Sequence, residues 1–190
     1  MNRVKRKLSS LVIFVLFFSS HGALASDKMD SAQVIAGEIE KSTSIHIHLF
    51  DTSGADLGNP KFRDTASAMA KSAPHLLATD IVEELRRAGF TSVTLDESEA
   101  GPADDSLNLT GRFTVLNPGS QNLRVWIGLG AGESKVCISG EVVKSDGKKM
   151  ATFADCRNGL GWGESAKQGD KGAVILGERV AGFLIDWAGS

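Results

Sequence analysis

The sequence predicts an α+β fold: a mostly antiparallel sheet with helices packed on one face, in a single domain. Three observations lead there. An alternating apolar segment near position 45 precedes a long helical stripe. Alternating segments joined by Gly-, Asn- and Asp-bearing turns follow, and an amphipathic helix closes the chain. Strand, helix, consecutive strands and a last helix is the order of a two-layer domain with its helices on one sheet.

The first 25 residues stand apart from that fold. Arg3, Lys5, Arg6 and Lys7 form a basic start, Leu8 to Phe18 an apolar stretch, and Ala23-Leu24-Ala25 a small-x-small site. This is the pattern of a cleavable export signal, with Ser26 as the expected mature N-terminus. A spanning helix would need roughly 20 apolar residues, and Ser19, Ser20 and His21 end the run early. No cysteine near the site could accept a lipid. Without its four basic residues the chain holds 17 Lys+Arg against 23 Asp+Glu, a net charge of −6. That balance argues against nonspecific binding to nucleic acid or to anionic lipid, both of which need clustered Lys and Arg. The expected localisation is the periplasm, with no membrane span after cleavage.

Residues 26–44 are polar and read as a flexible lead-in, with a short strand or turn at Val34-Ile35; residues 45–190 read as the domain. Ile45, Ile47 and Leu49 alternate with His46, His48 and Phe50, which predicts a strand. A Gly- and Asp-rich loop over 52–59 ends at Pro60. Ala66, Met69, Ala73, Leu77, Ile81 and Leu85 then mark a helix over about 64–88. Pro74 should kink it or begin a second helix, because proline lacks the amide donor. Gly89 is the expected terminator. Further strands are expected at 90–95, 107–115, 123–127, 134–143 and 149–156, with an acidic loop over 96–106. The last helix is expected over about 171–187.

The two cysteines, Cys137 and Cys156, lie on the arms of a hairpin whose expected turn is Asp146-Gly147. Counting outward from a two-residue tip sets them opposite each other, on one side of the ribbon. In an oxidising compartment they are expected to form a disulfide. Closing a loop of about 20 residues is worth roughly 3 kcal/mol on the chain-entropy account.

Other residues suggest chemistry less specifically. His46 and His48 share a strand face, as in some metal sites, but a site needs a third ligand such as His75 or Asp51. Gly128-x-Gly130-x-Gly132 lacks the spacing of a dinucleotide or Walker loop and reads as a bend between strands. Asp96, Glu97, Glu99, Asp104 and Asp105 lack calcium-loop spacing and read as a solvated loop. No G-x-S-x-G nucleophile elbow is present. Trp162, set among glycines, either lies back on the core or anchors an interface. Trp162, Gly128, Gly130 and Gly132 are therefore the candidate interface residues. No catalytic residue and no cofactor is assigned.

One stretch resembles a known family. Leu109-x-Gly111, Asn117-x-Gly119-Ser120, Arg124-x-x-Ile127-Gly128-x-Gly130-x-Gly132-x-Ser134 and Asp146-x-Lys148 are similar to domain-of-unknown-function family 4410. Leu85-x-x-Ala88-Gly89-Phe90 fits as well. The resemblance implies an exported bacterial envelope protein with a compact α+β domain and no assigned catalysis. Many members are lipoproteins, and this chain departs from them in lacking the lipid-bearing cysteine. The expected function is a non-enzymatic binding or envelope-assembly accessory module with an envelope protein as partner. The alternatives are an inhibitor or immunity protein, and a small metal-dependent hydrolase using His46 and His48.

Overall fold

The computed structural model of the 190-residue chain describes residues 28–96, 106–119, 133–158 and 165–189. The expected signal segment and the strand expected at 123–127 lie outside the described residues. Among those described, six strands form one sheet: β1 (Ser31–Val34), β2 (Ile45–His48), β3 (Val93–Asp96), β4 (Leu107–Asn117), β5 (Lys135–Lys144) and β6 (Lys149–Asn158). Among the described residues, two α-helices, α1 (Arg63–Arg87) and α2 (Ser165–Ala188), pack on it.

The strand order is β1-β6-β5-β4-β2-β3. Pairing is antiparallel from β1 through β4, whereas β4 with β2 and β2 with β3 are parallel. The sheet is mostly antiparallel, as expected. Its parallel end comes from the crossover β2-α1-β3, since parallel neighbours need a long connection and α1 supplies it. Alternation along β2 buries Ile45 and Ile47 under the helices and turns His46 and His48 to the opposite face.

Both helices lie on that first face. Met69, Leu77, Ile81 and Leu85 of α1 join Leu176, Val180 and Leu184 of α2 in one buried cluster with Leu109, Phe113, Ile138 and Phe153 of the sheet. An aromatic row crosses the cluster: Phe113 to Phe50 at 6.2 Å, Phe50 to Phe153 at 6.2 Å, Phe153 to Phe183 at 6.4 Å and Phe183 to Trp187 at 6.2 Å.

Three local expectations change. First, no second helix begins at Pro74: α1 continues through it as one helix, with Pro74 buried on its inner face. The helix loses one internal bond there, but 25 residues and a buried stripe hold the segment helical. Its far end is closed as expected by Gly89, at φ +94°, with Gly89 N–H donating to Arg86 and Phe90 N–H to Leu85.

Second, the β5–β6 hairpin turns through three residues, not two. Lys144 N–H donates to Lys148 O, and Gly147 takes φ +85°. One extra residue at the tip would shift the cysteines out of register. A bulge at Met150 restores it: Val143 faces Lys149, whereas Val142 faces Ala151 and Cys137 faces Cys156.

Third, the short strand expected at Val34-Ile35 begins earlier, at Ser31, and joins the sheet. Ser31–Val34 pairs with β6, Ile39 is 4% exposed, and Trp187 Nε1 donates to Gly37 O at 3.1 Å. The polar side chains of this segment hide its role, because pairing uses backbone and needs no apolar pattern.

Candidate functional site

The expected disulfide is present. Cys137 and Cys156 are joined with their Cα atoms 4.1 Å apart. They stand on the sheet face away from the helices, at a pair where Cys156 N–H donates to Asp155 and Asp30 carboxylates and not to β5. Such non-bonded pairs bring Cα atoms closest, which suits a cross-strand bridge.

The same sheet face, itself largely half-buried or buried, also carries the histidines. His46 Nδ1 lies 3.1 Å from Thr94 Oγ1, and His48 Nε2 lies 2.9 Å from Asn108 Oδ1. Asp51 sits just past β2 beside Arg112, but its carboxylate is taken by the hydroxyl and amide of Ser53. Those bonds hold Asp51 below the usual carboxylate range. His75 belongs to α1, across the sheet from the other two. Among the described residues no three His, Cys, Asp or Glu side chains converge in a way that could hold a metal ion. Trp162, Gly128, Gly130, Gly132, Glu97, Glu99, Asp104 and Asp105 lie outside the described residues.

A different feature emerges at the other edge. An open groove of about 810 Å³ lies between β1 and the outer side of α2. Met29, Ala32, Val34, Ile175, Phe183 and Ile185 give it an apolar lining. Charges of both signs surround that lining, Lys28, Arg157 and Arg179 against Glu84, Glu178 and Asp186. Gly182 opens the middle of the α2 wall, where a Cβ would meet nothing within 4 Å.

A buried ion pair fixes the inner wall. Arg179 Nε of α2 lies 3.0 Å from Asp155 Oδ2 of β6, with side chains only 7% and 0% exposed. The alignment makes this a charge contact more than a hydrogen bond. Asp155 also accepts from the amides of Asp30 at 3.3 Å and Cys156 at 2.8 Å. Burial raises the Asp155 carboxyl, and Arg179 pulls the other way.

Next to the groove, the α1–α2 seam is acidic. Asp80 of α1 packs against Gly177 of α2, where a Cβ would fall 2.9 Å from Asp80 Oδ2. Burial, then Glu178, Glu84 and Glu83, push the Asp80 carboxyl up to about 6.

Sequence reasoning missed the groove because its walls come from positions 28–34, 84, 157 and 175–186, which only the fold assembles. The one available signal was the apolar pair Val34-Ile35 in an otherwise polar segment. They are the exposed large hydrophobics among the described residues, at 41% and 49%.

Comparison with known proteins adds the following. The family model described as a domain of unknown function (DUF4410) matches residues 45–162. No curated protein matches the chain. Among solved structures the chain is similar to a PelC dodecamer from Paraburkholderia phytofirmans. Identity is 12%, the TM-score is 0.50, and 80% of this chain and 96% of that one are covered. It is also similar to a PelC variant dodecamer from the same organism, at 12% identity and a TM-score of 0.48, covering 79% of this chain and 98% of that one. At such identity the first likeness shows a shared fold.

Proposed function

Since this chain belongs to the DUF4410 family, we propose that it is an exported, non-enzymatic binding module of the cell envelope that seats a protein partner in the groove between β1 and α2. The observation that carries this reading is the groove itself. An apolar lining bordered by both charge signs is the composition of a protein-facing surface.

Export is supported by the pattern of residues 1–25 and by the disulfide, which suits an oxidising compartment. Among the described residues no helix is long and apolar enough to cross a membrane. The PelC neighbour is a dodecamer, which supports a role as an assembly subunit.

Crosslinking of a tagged copy in intact cells, read by mass spectrometry, tests the proposal. Gly182→Gln places a side chain in the groove at a position where the added Cβ meets nothing within 4 Å. The variant is expected to keep the parent's Tm and to lose at least about tenfold in partner capture, the effect of blocking a central contact. Equal capture by parent and variant would remove the groove from the mechanism. The captured partner also separates an assembly role from an inhibitor or immunity role, because a toxin or hydrolase would replace the envelope component.

A further inference from the structure

We propose that the free edge of β1 is a self-pairing surface, on which a second copy of this chain adds its own β1 antiparallel and joins the two sheets into one. The argument rests on the edge strand and not on an occupant of the groove.

Among the described residues, β1 has a neighbouring strand on one side only. Ile35 N–H donates to Met150 O at 2.8 Å, and the register sets Ser31 against Ala154 and Gln33 against Thr152. Hydrogen-bonding direction alternates along a strand, so Ser31, Gln33 and Ile35 turn inward. Ala32 and Val34 therefore direct their amides and carbonyls outward, away from β6.

Natural sheets protect such an edge with lysine, proline or an inward charge, or by keeping the strand short, as β1 is at four residues. The segment Ser31-Ala32-Gln33-Val34-Ile35-Ala36 contains no charged residue and no proline. It also carries the exposed large hydrophobics of the described surface, Val34 and Ile35. An edge without charge or proline fits an occupant made of extended backbone.

Two features favour a second copy over an unrelated strand. With the two-fold axis at Gln33, Ala32 faces Val34 of the partner subunit, so a small side chain opposes a larger one at both positions. The outward groups then close about four hydrogen bonds, the most this short edge allows. Charge acts in the same direction. The chain is net acidic, and two acidic molecules approach at least cost through a neutral segment.

The test uses the purified full-length mature protein with its native disulfide intact. Gln33→Cys places a thiol on the proposed axis, at a non-bonded pair like that of Cys137 and Cys156. It is expected to give a reducible dimer under mild oxidation, at least about tenfold faster than Asp146→Cys at the exposed hairpin tip. Light scattering on the parent is expected to show twice the monomer mass. Ala32→Pro removes an outward amide without touching the bonds to β6. It is expected to weaken dimerisation at least about tenfold while the Tm of the dilute protein stays unchanged.

A monomeric parent at high concentration would overturn the proposal. So would equal crosslinking of Gln33→Cys and Asp146→Cys, or a dimer that Ala32→Pro leaves intact. None of these results depends on capture in the groove, so failure here is distinct from failure of the Gly182→Gln test.

Discussion

Gly111 and Gly140 face each other across β4 and β5, and neither has room for a side chain. A Cβ on Gly111 would lie 2.4 Å from the Phe50 ring, and one on Gly140 would lie 2.4 Å from the Phe153 ring. The pair is a slot that lets two aromatic rings lie flat on the strands. Gly111 was visible in the sequence as part of a motif, yet its purpose was not, because Phe50 is brought to it only by the fold. Asp80 is a second residue whose role depends on its neighbours. Its carboxyl is raised from 3.8 to about 6, so the folded protein holds that proton more tightly than the unfolded chain does. The stability from this group is complete below about pH 3.8 and is lost as pH rises through about 6. Asp80→Asn should remove that loss. Thermal melts are expected to coincide for parent and variant near pH 3.5 and to separate above pH 6, with the variant melting higher. Parallel curves across the range would assign Asp80 an ordinary surface role.

At the scale of elements, much was legible. The alternation of Ile45 to His48, the stripe of α1, the Gly89 stop and the hairpin all read correctly, because each depends on neighbours within a few residues. The errors share a cause. Pro74 does not begin a second helix, because α1 is long enough and buried enough to continue past it. The hairpin tip was expected to have two residues and has three, and the bulge at Met150 cancels the error before it reaches the cysteines. The pairing was thus foreseen through a register that differs in its turn. Replacing both cysteines, Cys137→Ser with Cys156→Ser, is expected to lower unfolding stability by about 2–4 kcal/mol. Urea titration measures this, with the slope rising as the unfolded chain expands. A loss under about 0.5 kcal/mol would mean that the bulged ladder alone holds the hairpin.

For the whole molecule, the sequence yielded the class of fold but not the strand order. No local pattern announces that β2 sits between β3 and β4, or that the polar lead-in completes the far edge. The groove was hidden for the same reason, since its walls are separated by most of the chain. What couples those walls is the Asp155–Arg179 pair. Arg179→Met alone leaves a buried carboxylate without its counter-charge and is expected to cost about 3–5 kcal/mol. Adding Asp155→Leu is expected to recover most of that loss, because two apolar side chains of similar volume avoid the desolvation of both ions. A double-mutant cycle at neutral pH reads the coupling. Additive losses would show that the two residues contribute independently.

The position of β1 sets an order of events. Asp30, at its entrance, bonds Asp155 across 125 residues of sequence. A chain delivered from its N-terminus presents this segment first, but the strand that receives it arrives near the end. Closing so distant a contact carries a large entropic cost and must wait for the body of the sheet. The N-terminal edge is therefore expected to dock after the body of the sheet. Until it docks, β6 is the margin of the sheet on that side, and its outward amides and carbonyls are open to whichever strand reaches them first.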